Sequence, residues 1–453
     1  MVMLWPIQLK TLKLELVKNK ANFFLGLLSF ICYGFLGYFV NRNEFITLLS
    51  TIALLFICYV YFIKYKNSNV NNLFHLGLFF RLILLGTTPF LSQDFYRFIW
   101  DGRLILKGIS PYEFTPIALI DSIKLIQGRT LFNGMGSLSA NHFSNYPPIN
   151  QLLFATAGLF SSHSIIGSII IFRIQIIIAD IGIYVIGKRI LRQLSINENT
   201  IFFYFLNPLV LIELTGNLHF EGVMICFFLF GIYFLIKNKL LVSALFISLS
   251  IGTKLLPLLL LPILLHYLKC KKSIPFYALI VLLTIVMFLP FTSTHLINNY
   301  RSTISLWFTS FEFNASIYYC IRAIGFYFYG YNIIATLGKI TPIILLFFIL
   351  YSTFFRKNNT PKALFVSFLL VLTVYFFQST TVHPWYIINL VILTCFTKFK
   401  FPLVWSFTVF LSYFAYSNLL FKENMLLISI EYLLVFSILF YEIKYKKEPK
   451  QIV

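Results

Sequence analysis

Long, uninterrupted apolar stretches make up most of this chain, and short segments rich in lysine and arginine separate many of them. A helix that crosses the hydrocarbon core of a bilayer needs about 20 mostly apolar residues. Stretches near this length lie at 23–40, 45–63, 73–91, 164–187, 199–215, 220–236, 240–268, 274–291, 333–355, 362–378, 384–397, 401–421 and 425–443. The pattern predicts an all-α polytopic membrane protein, a bundle of about 12 to 14 transmembrane helices.

Basic residues in short loops indicate which segments face the cytoplasm. The predicted segments are a cytoplasmic amphipathic N-terminus (1–21), the first three transmembrane helices (22–91), a large extracytoplasmic loop (92–147), a helix bundle (148–443) and a cytoplasmic basic tail (444–453). A second outer loop, which carries an interfacial helix, is expected near 292–330. The stretch 240–268 is basic at both ends and contains Lys254, so two short or broken helices fit it better than one span.

Composition supports the membrane assignment and removes other classes of protein. Apolar residues make up 59% of the chain and charged residues 11%, whereas soluble domains have about a quarter charged residues. Such hydrophobicity also excludes a disordered chain. The net charge of +21 fits basic cytoplasmic loops, and no soluble basic domain is present to bind nucleic acid. Six scattered cysteines indicate neither a disulfide framework nor a metal cluster.

Ionisable side chains within or beside membrane spans are costly, so they are candidates for function. Most of the unusual polar residues here map to the predicted outer face. They are Asp94, Arg97, Asp101, Arg103, Tyr146, His219, Glu221, Lys254, His383 and Tyr386. We therefore expect these residues to converge on one site at that face.

Asp94 directly follows the third predicted helix. If residues 94–106 are helical, Asp94, Arg97 and Asp101 lie on one face. Trp100 and Leu104 lie on a neighbouring stripe that could rest on lipid. A structural role also remains open, because an aspartate at a helix start can cap the backbone and suits the positive end of the helix dipole.

Three further polar positions have competing interpretations. His219 and Glu221 share an outer turn, which favours substrate contact over a structural histidine, while a metal site there has too few partners. Lys254 is a candidate for binding a lipid phosphate, although a lysine at an interface often only snorkels. His383 is either a site residue or part of an aromatic-belt corner.

Arg173, Asp180 and Glu213 lie inside or near the ends of predicted spans. Arg173 and Asp180 are seven residues apart in one span and so lie on roughly one face of a helix. An ion pair inside the helix bundle, or bonds to neighbouring helices, explains them better than catalysis does. Glu213, near an outer helix end, remains ambiguous.

A set of motifs in fixed order resembles a known family. The motifs are SQDFYRFIWDGR at 92–103, GISPY at 108–112, YPP at 146–148 followed by Gln151, GNLHFE at 216–221, KLLPLLLLP at 254–262 and HPWY at 383–386. Each motif alone is weak, but the ordered set extends over about 92–390. It resembles bacterial mannosyltransferase-like membrane proteins of the C-type glycosyltransferase (GT-C) superfamily.

The resemblance implies an enzyme that uses a polyprenyl-phosphate-linked sugar, with mannose favoured, at the outer membrane face. It also implies that an acidic residue in the first large outer loop is the catalytic base, and Asp94 matches that position. Lys254 and His383 are then expected to contact the leaving phosphate, and the other candidates to contact sugar or acceptor. Two departures leave donor and acceptor open: Gln93 replaces a frequent second acid, and Glu221 stands where aspartate is common.

Taken together, the sequence predicts an inverting hexosyltransferase in the cytoplasmic membrane whose site faces the periplasm or outside. Its expected partners are a polyprenyl-phosphate-linked sugar donor, a lipid or glycan acceptor and membrane lipids, without nucleic acid, cofactor or metal. Two alternatives remain: a transporter or flippase of lipid-linked saccharides, and a non-catalytic assembly subunit. A transporter is expected to place charges near the bilayer midplane and often has internal repeats, whereas the polar residues here favour the outer rim.

Overall fold

The computed structural model describes residues 20–64, 70–418 and 420–445, so the predictions for 1–19 and for 446–453 lie outside the described residues. Helices dominate the described residues, which contain only an isolated β-bridge between Phe313 and Thr381. The predicted all-α class is thereby confirmed.

Within these residues, we number the α-helices of eight or more residues from α1 to α17. They are α1 Lys20–Phe39, α2 Phe45–Lys64, α3 Val70–Ile83, α4 Asp94–Ile105, α5 Gly128–Ala140, α6 Pro148–Phe160, α7 Ile165–Gln193, α8 Glu221–Ile236, α9 Leu240–Thr253, α10 Cys270–Phe288, α11 Leu296–Thr309, α12 Ile317–Tyr329, α13 Ile334–Phe354, α14 Pro361–Gln378, α15 Ile388–Phe396, α16 Phe401–Thr408 and α17 Met425–Tyr445. Shorter helical pieces are Pro116–Leu119, Glu198–Ile201, Phe202–Phe205, Pro208–Val210, Leu211–Gly216, Leu256–Leu260, Leu264–Leu268, Leu289–Phe291 and Pro384–Ile387, and a 3₁₀ helix of nine residues is Val409–Ser417.

Seven helices of the described chain are long and apolar enough to cross a membrane, and a bent pair, Glu198–Phe205 with Pro208–Gly216, adds an eighth if it forms one span. Five further apolar helices are shorter. Several of the apolar stretches in the sequence therefore fold as short or broken helices and not as full spans. Helix α13 exposes Ile343, Ile344 and Phe347 on its outer surface, as expected of a helix that faces lipid.

The break predicted within 240–268 is present. Helix α9 ends at Thr253, Lys254 has an extended backbone, and a 3₁₀ turn at Leu256–Leu260 follows. Pro257 in this turn lacks the N–H that a continuing α-helix would need. The break leaves Lys254 beyond the end of the helix, where its side chain can enter the interior of the protein.

Helix α4 begins at Asp94, as predicted, but it is buried within the protein. Gly102 makes this possible, because a Cβ atom there would lie 2.2 Å from the carbonyl oxygen of Phe154 in α6. The rings of Phe98 and Phe154 stack at 4.5 Å across the same contact. Trp100 is completely buried and Leu104 nearly so, and the prediction that they rest on lipid is therefore wrong.

Two buried ion-forming residues of α7 bond to neighbouring segments and not to each other. Asp180 accepts hydrogen bonds from Arg81 Nε at 2.8 Å and from the Tyr204 hydroxyl at 2.7 Å. Arg173 donates to the carbonyl oxygens of Thr215 at 2.8 Å and Gly216 at 3.0 Å. Arg173 thus holds the chain just before the turn that carries His219.

Candidate active site

A cavity of about 750 Å³ brings most of the predicted site residues together. Its polar lining includes Arg42, Gln93, Asp94, Arg97, Tyr146, His219, Glu221, Lys254, His383 and Tyr386. Eight of the ten candidates from the sequence are among them, contributed by segments between residues 94 and 386. Most of these side chains come from helix ends and loops, where the backbone can turn them towards a common space.

The Asp94 carboxylate opens onto this cavity. Asp94 is the first residue of α4, and about a third of its side chain (33%) stays exposed. Gln93 occupies the cap position and no side-chain cap bond is present, so capping does not account for Asp94. Burial raises the pKa of Asp94, while the nearby His219 and Lys254 oppose this increase. The carboxylate is therefore a stronger base than an ordinary aspartate.

His219 approaches Asp94 from a distorted turn. A π-helical segment, Leu211–Gly216, precedes the turn, and Leu218 has a φ of +65°, which is unusual for a leucine. This backbone places His219 Nε2 at 3.9 Å from Asp94 Oδ2. Strained backbone of this kind occurs most often at functional sites.

Lys254 and Glu221 form an ion pair in the cavity wall. The Glu221 side chain is almost fully buried, and the Lys254 side chain is 23% exposed. The amino group therefore points to a buried carboxylate, which argues against simple snorkelling to an interface. The pair neutralises much of the charge that we expected Lys254 to offer a phosphate.

His383 is buried against aromatic rings. Its ring stacks on Trp385 with centroids 4.3 Å apart, and His219 stacks on the same Trp385 at 3.8 Å. His383 Nδ1 has no hydrogen-bond partner among the described residues. Burial, together with the charges of His219 and Lys254, lowers the pKa of His383 to about 3. His383 is consequently neutral near pH 7. A neutral imidazole can contact a phosphate only through a hydrogen bond, and the contact of His383 with the leaving phosphate stays a prediction.

Two of the predicted contacts lie behind the cavity wall. Asp101 is fully buried and accepts hydrogen bonds from Arg97 Nε at 2.7 Å and Gln151 Nε2 at 3.2 Å. Arg103 donates to the Ile126 carbonyl oxygen and to the side chain of Gln127. In contrast to the sequence expectation, neither Asp101 nor Arg103 lines the cavity. Asp101 instead bonds to Arg97, and the Arg97 guanidinium does reach the cavity.

Sequence reasoning missed Arg42, which enters the cavity from the short loop between α1 and α2. Its Nη2 atom lies 3.4 Å from Gln93 Oε1, and its guanidinium lies 5.0 Å from the centre of the Tyr416 ring. Among the described residues, no carboxylate oxygen lies within 4.0 Å of it. An arginine in a predicted outer turn departs from the positive-inside pattern, and this departure was the available signal.

Comparison with known proteins shows which family the chain resembles. The family described as alpha-(1->6)-mannopyranosyltransferase, N-terminal domain, matches residues 35–269, just over half of the chain. The chain belongs to this family. The prediction of a mannosyltransferase-like protein from the ordered motifs is thereby confirmed.

Two curated alpha-(1->6)-mannopyranosyltransferases are similar to the chain. Enzyme B of Corynebacterium glutamicum is 24% identical over 150 residues, which cover 33% of this chain and 24% of that protein. Enzyme A of Mycobacterium tuberculosis is 23% identical over 176 residues, which cover 38% of this chain and 32% of that protein. The similarity thus extends over about a quarter to a third of the length of these relatives.

The matched region of the alpha-(1->6)-mannopyranosyltransferase family contains most of the cavity's charged residues. Arg42, Asp94 and Lys254 all fall within 35–269, as do Arg97, His219 and Glu221. His383 and Tyr386 lie beyond it. The structure therefore joins the charged residues of the cavity, most of which the family match covers, to aromatic side chains from the C-terminal part of the chain.

Proposed function

We propose that this protein is a glycosyltransferase that moves mannose from a polyprenyl-phosphate donor to a lipid or glycan acceptor. One observation carries the proposal. In a chain of the mannopyranosyltransferase family, Asp94, Arg42 and Lys254 line the same cavity. A carboxylate base and cations near one cavity are the groups that sugar transfer from a phosphate requires.

Asp94 is the proposed general base. A sugar hydroxyl is a poor nucleophile, so a carboxylate within hydrogen-bond reach must accept its proton as the oxygen attacks the anomeric carbon. The bond from that carbon to the phosphate oxygen breaks, and the phosphate leaves with the electron pair. One displacement of this kind inverts the anomeric configuration.

Arg42 is the best-placed cation for the leaving phosphate. Lys254 is already paired with Glu221, whereas Arg42 makes, among the described residues, only the long contact to the Gln93 side-chain oxygen and the contact with Tyr416. Negative charge on the phosphate increases as the glycosidic bond breaks, and a fixed guanidinium stabilises that charge. Lys254 and the neutral His383 complete the polar wall.

An apolar side of the cavity suits a lipid-linked donor. Leu255, Leu256 and Leu259 from the turn after Lys254, and Ile304 and Phe308 from α11, contribute to the lining. A phosphate bound at the polar side of the cavity would leave its prenyl chain beside these side chains. We also propose that the site lies on the outer face of the cytoplasmic membrane, and the charge pattern of the loops supports this side for the loop 92–147.

Asp94→Asn provides the direct test. The variant keeps the size of the side chain and removes the base, so transfer from a polyprenyl-phosphate mannose should fall by about 10²-fold or more. Asp121→Asn is the matched control, because Asp121 lies in the same loop but pairs with Arg129 on the exposed surface. The assay measures mannosyl product from purified protein in lipid, at equal amounts of folded protein. Equal turnover of Asp94→Asn and Asp121→Asn would eliminate Asp94 as the base.

A further inference from the structure

Glu213 lies behind His219 and outside the cavity lining, in a position that the reaction as described does not use. It belongs to the π-helical segment Leu211–Gly216, and its side chain is fully buried. The Tyr413 hydroxyl donates to Glu213 Oε1 at 2.6 Å, and Asn217 Nδ2 donates to Oε2 at 3.3 Å. The carboxylate is therefore held in one orientation from two sides.

His219 directs one ring nitrogen to Glu213 and the other to Asp94. His219 Nδ1 lies 3.3 Å from Glu213 Oε2 and 3.1 Å from the Glu213 carbonyl oxygen. Both oxygens are acceptors, so Nδ1 carries a proton. His219 Nε2 has no hydrogen-bond partner among the described residues, although the side chain is only 2% exposed, and it faces Asp94 Oδ2 at 3.9 Å.

We propose that Glu213 is a positioning residue that fixes the His219 ring and presents His219 Nε2 as a proton acceptor behind Asp94. This inference rests on the proposed function. In the transfer reaction, the O–H bond of the acceptor breaks and a proton joins Asp94. That proton then passes to His219 Nε2, and the buried negative charge of Glu213 balances the imidazolium that forms. Asp94 returns to the carboxylate state without waiting for solvent.

The same geometry explains the position of the turn relative to the catalytic loop. Asn217 donates to Glu213 through Nδ2 and accepts from the backbone N–H of Leu91 through Oδ1 at 3.0 Å. Leu91 lies three residues before Asp94. Glu213, His219 and Asp94 are thus tied to one another through side chains and through the backbone.

Other charged or titratable groups also surround the Asp94–His219 pair. Arg42 and the Lys254–Glu221 ion pair are charged. His383, which stacks on Trp385 as His219 does, is neutral. Tyr146, Tyr386 and Tyr416 line the same cavity and interact electrostatically with Asp94. A substitution at Glu213 leaves all of these side chains in place, so its effect on pH dependence reports on the buried carboxylate alone.

The test compares Glu213→Gln with Glu213→Asp. The amide keeps an acceptor for Tyr413 but removes the negative charge that favours a proton on the Asp94–His219 pair. We expect Glu213→Gln to lower the plateau of kcat/KM by at least tenfold and to move its acid limb to lower pH. Glu213→Asp keeps the negative charge, so the acid limb of its kcat/KM profile should lie at the same pH as in the wild-type protein. A limb that does not move in Glu213→Gln overturns the inference, because a purely structural defect lowers the plateau alone.

Glu431→Gln is the matched control for a buried glutamate. Glu431 in α17 accepts hydrogen bonds from Trp405 Nε1 at 2.8 Å and Asn314 Nδ2 at 3.1 Å, away from the cavity lining. Glu431→Gln should leave the pH profile of kcat/KM unchanged.

A second readout does not depend on transfer. The ¹⁵N spectrum of labelled histidine in the whole protein, assigned with His219→Gln, should show His219 in the Nδ1-protonated form at alkaline pH. The Nε2-protonated form would overturn the inference even if the protein transfers no sugar. Conversely, the Nδ1-protonated form in a protein without Asp94-dependent transfer would reject the proposed function and leave the His219 geometry intact.

Discussion

The ion pair between Lys254 and Glu221 determines what a substitution at Lys254 can report. From the sequence, Lys254→Met is expected to weaken donor use more than folding. The structure changes this expectation, because Glu221 is only 2% exposed and its Oε2 atom has no hydrogen-bond partner among the described residues. Removing Lys254 therefore leaves a buried carboxylate without its cation.

Lys254→Met and Glu221→Gln should lower the free energy of unfolding by unequal amounts. Loss of one member of a buried ion pair typically costs about 3–5 kcal/mol of unfolding free energy, and Lys254→Met is expected to approach this range. Glu221→Gln leaves Lys254 unpaired, but that side chain is 23% exposed to the cavity, so the loss should be smaller. In the double variant the unpaired charge is gone, and most of the stability should return.

A double-mutant cycle measures this coupling. Unfolding of the wild-type protein, both single variants and the double variant is followed by titration with SDS in bicelles, and donor KM is measured on the folded fraction of each. If Lys254 also contacts the donor phosphate, the double variant regains stability while its donor KM stays raised by about tenfold, the usual scale for a charged hydrogen bond. Wild-type stability in Lys254→Met would refute the reasoning, since Glu221 would then not depend on Lys254.

Two further predictions concern the cations and the base. Arg42→Met should raise donor KM by about tenfold with little change in the amount of folded protein, because Arg42 makes one long hydrogen bond and one ring contact; an unchanged KM would leave the phosphate to Lys254. Activity should rise with pH through the raised pKa of Asp94, because only the deprotonated carboxylate is a base; the acid limb of kcat/KM should therefore lie above the usual range of aspartate, and no histidine limb should arise from His383.

The sequence predicted the fold class and most of the cavity because both depend on local signals. Apolar length indicates helices, and a charged residue at a helix end is informative wherever it occurs. Asp94, His219 and His383 belong to interruptions between apolar stretches, and Lys254 lies at the predicted break within 240–268. The structure brings all four to one cavity. Their convergence was expected from the predicted outer face, before any distance between them was known.

The wrong and missing site predictions have a different origin, because they depend on which neighbouring residues a side chain contacts in the fold. Asp101 and Arg103 follow Asp94 by helical spacing, but the close packing of α4 on α6 at Gly102 buries both behind the cavity wall. A single sequence does not contain this contact, since Phe154 lies 52 residues away from Gly102. Arg42 was missed for the same reason: nothing near it in the sequence indicates that its loop meets the residues around Gln93.

The broken helices also explain why a fully buried arginine lies beside the site. A π-helical segment and a turn inside the protein leave backbone carbonyls without helical partners, and such groups are costly away from water. Arg173 donates to the carbonyls of Thr215 and Gly216 at the end of that segment and to those of Leu85 and Thr87 after α3. One guanidinium thus satisfies backbone carbonyls in two segments, the one that precedes Asp94 and the one that precedes His219. A fold that must bend its helices to present these two side chains needs a cation of this kind, which is why Arg173 belongs to the support of the site and not to its chemistry.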